Sequence, residues 1–213
     1  NNNQPVIAAN NGAGVTVNPN NCNINLEEND LCPAACEAGI TFCYTDYTVT
    51  GNEVWTTTTS HPGCGVTADV FVQGTIRIPV NSSLLIESGV TVHFGEEGRI
   101  VLESGDNANE VGGRLDVNGA TLTNAGTCRW IGIDVWGNQD FSQFPVGNSR
   151  AGYLRVRNNA LIENAAEAVR LWKPGDLSRS GGIIRAANWP FRSNWCSAEF
   201  MSYQNFFPFG SNP

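Results

Sequence analysis

The sequence has one lysine, Lys173, one methionine, Met201, and two histidines, His61 and His93. Charged residues make up only 15% of it, against roughly 25% in an average soluble domain. Long helices draw on Ala, Leu, Lys, Glu and Met, so this scarcity, beside 23 glycines and an excess of asparagine, argues against them. Eleven of the twelve basic residues are arginine, and the net charge of −8 excludes a nucleic-acid binder working through a general basic field. No run of about 18 apolar residues occurs, which excludes a transmembrane helix. A Walker loop, a dinucleotide fingerprint and a metalloprotease helix are also missing. What is present is an acidic, strand-rich chain of 213 residues, enough for one sizeable core or two small ones.

Seven cysteines lie at positions 22, 32, 36, 43, 64, 128 and 196. None has Cys-x-x-Cys spacing, and with two histidines a zinc site is poorly supported. Disulfides in an oxidising compartment are the better reading, which places the chain outside the cell or on its surface. Cys22, Cys32, Cys36, Cys43, Cys64, Cys128 and Cys196 are all candidates. The odd count leaves one thiol free or paired outside the chain, and spacing does not give the connectivity. The start, Asn1-Asn2-Asn3-Gln4, has no charged or apolar targeting region and reads as a mature or excised segment. The apolar end at Phe206, Phe207 and Phe209 reads as part of something longer.

Three regions follow along the chain. Residues 1–21 read as an extended Asn/Gly-rich leader that can add one strand, around Val15 to Val17. Residues 22–69 hold the cysteine cluster and too few large apolar residues for a core of their own, so they read as a disulfide-stapled cap. From residue 70 to 213 the pattern changes to strands of four to seven residues broken by Gly, Asn or Pro. One pattern recurs: an alternating strand, a residue tolerant of positive φ, then a second alternating strand. Its copies are Leu84, Ile86, Gly89, Val90, Val92; Leu115, Val117, Gly119, Ala120, Leu122; Leu154, Val156, Asn159, Ala160, Ile162; and Ile184, Ala186, Asn188, Trp189, Phe191. The Gly or Asn of each copy follows the last by 30, 40 and 29 residues. A third strand joins each copy to the next, and surplus length falls in loops at 104–111, 124–129, 137–151 and 173–180.

Three strands per repeat at this period is the mark of a stacked solenoid. Alternate apolar residues point into a shared core, and Gly or Asn takes the corner that needs a left-handed backbone. Asn124, Asn164 and Asn194 recur at a second corner, where stacked side chains can hydrogen-bond along the column. The chain from about 70 to 205 resembles a right-handed parallel β-helix of the pectin-lyase-like superfamily. More closely it resembles β-helix regions of secreted Bacteroidota surface proteins exported by the type IX route. Residues 84–90, 113–120, 130–133 and 161–165 carry the resemblance. It implies an all-β fold: a right-handed parallel β-helix, three strands per rung and about four rungs, behind the cap and continuing beyond residue 213.

Registering the third strands puts Val101, Asp134, Arg170 and Glu199 in one outward column. Acid, base and acid at strand spacing make either an exposed ion-pair ladder or a charged groove in which Asp134, Arg170 and Glu199 do lyase or hydrolase chemistry. A second column brings Asp116 to Arg155, with Arg157 at the corner. Trp136 and Trp172 follow the last inward residue of successive strands. They are expected to stack as a ligand-binding platform for sugar rings or to pack under the 137–151 loop. Trp130, Trp189 and Trp195 read as core or turn residues, and His93 as a surface residue without an acid partner. The residue sets implied by polygalacturonase-type hydrolases of the superfamily are absent. Glu96, Glu97, Asp106 and Glu110 could hold calcium, though at no recognised loop spacing; no other metal or cofactor is expected.

The expected function is therefore a non-catalytic extracellular or cell-surface module of adhesin or stalk type that can bind polysaccharide. The alternative is a polysaccharide lyase or glycoside hydrolase acting on an acidic glycan. Expected partners are a cell-surface glycan and further domains, or a partner covering the last rung; nucleic acid and membrane insertion are not expected.

Overall fold

A computed structural model describes residues 37, 39–188 and 190–201, together with the backbone of 6–8 and 14–16. Cys22, Cys32, Cys36, Trp189, Phe206, Phe207 and Phe209, with most of the leader and the start of the cap, lie outside the described residues.

Val6–Ala8 (β1) and Gly14–Thr16 (β2) pair antiparallel. Tyr47–Thr48 (β3) and Asn52–Trp55 (β4) come next, then a hairpin of Ser60–His61 (β5) and Gly65–Val66 (β6). Strands then arrive in threes. The first set is Asp69–Val72 (β7), Thr75–Ile78 (β8) and Ser83–Ile86 (β9); the second is Thr91–Phe94 (β10), Arg99–Leu102 (β11) and Arg114–Asn118 (β12). Thr121–Asn124 (β13), Trp130–Val135 (β14) and Tyr153–Arg157 (β15) follow, then Leu161–Glu163 (β16), Ala165–Arg170 (β17) and Ile183–Ala186 (β18). Phe191–Arg192 (β19) ends the series. The protein is all-β, with two single-turn 3-10 helices in loops.

Three five-stranded sheets take these strands in rotation: sheet I is β7-β10-β13-β16-β19, sheet II β3-β8-β11-β14-β17, and sheet III β4-β9-β12-β15-β18. All their pairings are parallel, and from β7 onward each strand pairs with the one three places later. Leu84, Leu115, Leu154 and Ile184 lie in register on sheet III, as the sequence repeat predicts. Val70, Val92, Leu122 and Ile162 do the same on sheet I, and Ile76, Ile100, Ile133 and Val169 on sheet II. These three columns face one another and form one core, nearly all of it closed to solvent. Each large aliphatic side chain so buried contributes about 1.5–3 kcal/mol.

Corner residues keep the strands in step. Gly89, Gly119, Asn159 and Asn188, at the turn from sheet III to sheet I, all have positive φ, between 60° and 87°. Asparagines hydrogen-bond from strand to strand at this corner, as well as at the one the sequence points to. Asn158 Nδ2 donates to Asn118 Oδ1 (2.6 Å), and Asn118 Nδ2 donates to Glu87 Oε2 (2.6 Å). At the other corner Asn164 donates to Thr123, Asn124 to the Gly126 carbonyl, and Asn194 bridges Ala165 N–H and the Ile162 carbonyl. Asn124 and Asn194 thus satisfy turn backbone, while Asn164 reaches the Thr123 side chain on the neighbouring strand, which donates in turn to Asn124 Oδ1.

The Cys43–Cys64 disulfide closes the start of the described chain onto the β5–β6 hairpin. Cys128 and Cys196 are disulfide-bonded as well, and no free cysteine occurs among the described residues.

Candidate functional site

Sheet II positions the charged column. Val101 lies opposite Asp134, Asp134 opposite Arg170, and Arg170 opposite Glu199. The same row continues in the other direction to Arg77. The register matches the sequence reading, but the environment does not. The column is no exposed ladder: Asp134 is 2% and Glu199 8% exposed, and Val101 is buried too.

A bulge helps to explain this. The pairing of β14 with β17 slips after Gly132, so that Gly132 faces Glu167 but Ile133 faces Val169, leaving Ala168 as an extra residue. Alternation would put Glu167 and Arg170, three residues apart, on opposite faces; the extra residue lets both reach the same side. Gly132 makes room for the bulge with φ of 125°, where a β-carbon would collide with the Glu167 carbonyl. Arg170 therefore serves two acids. Its Nε donates to Asp134 Oδ1 at 2.7 Å, and its Nη1 lies 2.8 Å from Glu167 Oε2. Glu199 takes a hydrogen bond from Trp172 Nε1 (2.9 Å), whose ring lies under the Arg170 guanidinium at 5.8 Å. Burial pushes the Asp134 carboxyl above its ordinary pKa, with Arg170 and Arg99 pulling it back. Glu167 is raised for the same reason, burial outweighing Arg170.

Outside this network lies an open cleft of about 770 Å³, lined by Arg77, Arg99, Asp134, Trp136, Lys173 and Pro174 among others. Of its three acids, Asp134 is engaged by Arg170 and Asp46 by the Thr75 N–H at 2.6 Å, while Glu97 has no hydrogen bond or ion pair among the described residues. Its donors are engaged unequally. Arg77 is paired with Glu103, but Arg99 Nη1 is 3.9 Å from Asp134 Oδ2, beyond hydrogen-bond length. Lys173 Nζ is likewise 3.9 Å from Asp176 and sits 4.7 Å from the centroid of Trp136, whose own indole N–H has no partner. The cleft thus presents two loosely held cations, Arg99 and Lys173, together with one unengaged carboxylate, Glu97.

The two tryptophans do not form the expected stack. Among the described residues each ring is covered by a cation instead, Trp136 by Lys173 and Trp172 by Arg170, and Trp172 is not a wall of the cleft. Trp130 is fully buried, stacked on Phe94 at 4.4 Å with its N–H on the Glu163 carbonyl (2.8 Å). Trp195 is part-exposed beneath Arg129. Asp116 prefers the corner arginine: Arg157 holds it with Nε at 3.0 Å and Nη2 at 3.1 Å, whereas Arg155 stays 3.8 Å away. The extra reach to the corner lets Arg157 present its fork edge-on to the carboxylate. His93 does have an acid partner, Asp69 Oδ1 at 2.9 Å from Nε2, and stacks on Phe71.

Of the loop acids, Glu110 is taken up by the backbone N–H groups of Asp106 and Asn107, which hold its pKa low. Among the described residues no group of three or more His, Cys, Asp or Glu side chains is placed to hold a metal ion.

Arg99, Glu167 and Lys173 were not legible as site residues. Arg99 and Lys173 lie far apart in sequence on a strand and a loop, and Glu167 joins only through the bulge. Compared with models of known protein families, with curated proteins and with solved structures, the chain matches none.

Proposed function

We propose that this chain is a non-catalytic module of an extracellular or cell-surface protein, a right-handed parallel β-helix that holds an anionic polysaccharide in the cleft over sheet II. Strands visiting three parallel sheets in rotation support the β-helix. The resemblance to pectin-lyase-like proteins and to Bacteroidota surface proteins rests on the same repeat, with residues 1–21 as leader and 22–69 as cap. Disulfides favour an oxidising location.

One observation carries the non-catalytic reading: the acids of the column are already spoken for. Asp134 is hydrogen-bonded to Arg170 and Glu199 to Trp172, and Glu167 beside them is ion-paired with Arg170, although its buried Oε2 takes no hydrogen bond among the described residues. A hydrolase or lyase needs an acid or base free to exchange a proton with substrate. The cleft in front of them instead offers Arg99 and Lys173 as N–H donors, with Trp136 and Pro174 as apolar wall. That chemistry suits a carboxylate or sulfate carried on a sugar chain.

A screen of acidic and neutral polysaccharides tests this, reading both retention and release of new chain ends. Retention of an acidic polymer without cleavage is expected, weakened roughly tenfold or more, about 1.4 kcal/mol, by Arg99→Ala or Lys173→Ala. Release of unsaturated or reducing ends would overturn the non-catalytic reading. Equal retention by both variants would overturn the cleft.

A further inference from the structure

The first strands and the hairpin enclose a second group of polar atoms, well away from the cleft. His61, on β5, is 2% exposed. Its Nδ1 is 3.0 Å from Tyr44 Oη, the Tyr44 ring meets it edge-on at 5.9 Å, and Trp55 of β4 stands perpendicular to it at 5.0 Å. Its Nε2 is buried with no hydrogen-bond partner among the described residues. Among the described residues, the titratable groups packed around this box are Tyr44, Tyr47 and Glu53. Tyr47 of β3 packs on both Tyr44 and Trp55, and Glu53 of β4 accepts from Tyr47 Oη at 2.6 Å, so that acid is already engaged with another group. The hairpin's backbone is tied in by Cys64 N–H on the His61 carbonyl and by the Cys43–Cys64 disulfide.

We propose that His61 is an acid-sensitive latch: gaining a proton drives its ring out of the Tyr44–Trp55 box and opens the Ser60–Val66 hairpin while the three parallel sheets stay intact. A neutral imidazole has one donor and one acceptor, and the Tyr44 hydroxyl can serve the Nδ1 side in either tautomer. An imidazolium has two donors. Tyr44 would then have to accept, and the second N–H would remain buried with nothing to meet it. Attraction of the cation to the face of Trp55 offsets only about 2 kcal/mol, less than the several kcal/mol lost on burying an ion. The neutral form is therefore favoured inside, and burial holds the ring's pKa below its ordinary value. Sealing of the hairpin is complete above the solvent-exposed value of about 6.5 and is lost progressively as pH falls below it. The core columns beneath carry no titrating side chain, and the disulfide keeps the opened hairpin attached.

Amide hydrogen exchange on the whole chain tests the latch. From about pH 7.5 to about pH 5, after correction for intrinsic exchange, protection of Cys64 and Val66 should fall about tenfold for each unit by which opening raises the ring's pKa. Protection of Leu115 and Leu122 should not change. His61→Phe, which fills the box without titrating, should remove the pH dependence. A ring-proton titration by NMR, with only two histidines to assign, gives a readout independent of any variant: a His61 midpoint below 6.5 supports the latch. A midpoint at or above 6.5, pH-independent hairpin protection, or the same loss in His61→Phe overturns it.

Discussion

Replacing Arg170 with methionine isolates the buried charge network from everything else in sheet II. Methionine keeps most of the aliphatic stem, so the sheet loses little packing. What it loses is, among the described residues, the cation in closest contact with two carboxylates, Asp134 at 2.7 Å and Glu167 at 2.8 Å. Removing one partner of a buried ion pair costs about 3–5 kcal/mol, because the other charge stays behind without compensation. Arg99, 3.9 Å from Asp134, is too distant to replace it. At this chain length each kcal/mol moves the melting midpoint by about 2–4 °C, so a drop of roughly 6–20 °C is expected near neutral pH. The loss should shrink in acid. Burial already raises both carboxyls, and without Arg170 they rise further. Their protonated forms are then favoured in the folded state, so the variant's penalty is present above the raised values and fades as pH falls through them toward the ordinary carboxyl range near 4. Thermal melts followed by circular dichroism at about pH 7.5 and about pH 4.5 read this directly. The double variant Asp134→Leu with Arg170→Met should recover part of the loss, since it removes the more deeply buried of the two stranded acids and leaves Glu167. A drop below about 2 °C near neutrality, or a gap between variant and parent as wide in acid as at neutral pH, would refute the account.

Gly132→Ala should cost at least about 2 kcal/mol, through strain at positive φ and collision with the Glu167 carbonyl; urea unfolding midpoints check it. Replacing Cys43 and Cys64 together by serine should cost about 3 kcal/mol for a loop spanning 21 residues, read as a lowered melting midpoint under non-reducing conditions. Trp130→Phe leaves a small void and strands the Glu163 carbonyl, for a loss of about 1–3 kcal/mol by chemical denaturation. At Asp116 the order matters more than the size: Arg157→Ala should cost up to about 1 kcal/mol, and Arg155→Ala less than that.

The sheets were legible because alternation is a local property. Leu115 and Val117, or Leu154 and Val156, announce an inward face within one strand, and glycine or asparagine at a fixed offset marks the turn. The column of Asp134, Arg170 and Glu199 followed from laying those strands in register. Its burial did not, because that depends on a single additional residue, Ala168, which only the pairing of two distant strands reveals. What lies over each tryptophan ring was not legible for a related reason: the offset of Trp136 and Trp172 from the strand ends says where the backbone is, while Lys173 and Arg170 decide what covers each ring. Arg157 replaced Arg155 at Asp116 because a corner residue can turn its fork inward and a mid-strand one cannot. The box around His61 is assembled from four separate segments, none of which carries a motif.

The connections between strands are unequal. Turns from sheet III to sheet I after β9, β12, β15 and β18, and from sheet I to sheet II, are short, whereas from β11 onward the passages from sheet II to sheet III are long, running through 103–113, 136–152 and 171–182. Two of these long passages begin with Trp136 and with Lys173 and Pro174, on the wall of the cleft. Doubling such a loop costs only about 0.6 kcal/mol in closure entropy, while inserting one residue inside β12 would turn Leu115 and Val117 to the outside. Change can thus accumulate along a single flank of the molecule, so a lineage can trade one preference for another there while its interior stays the same.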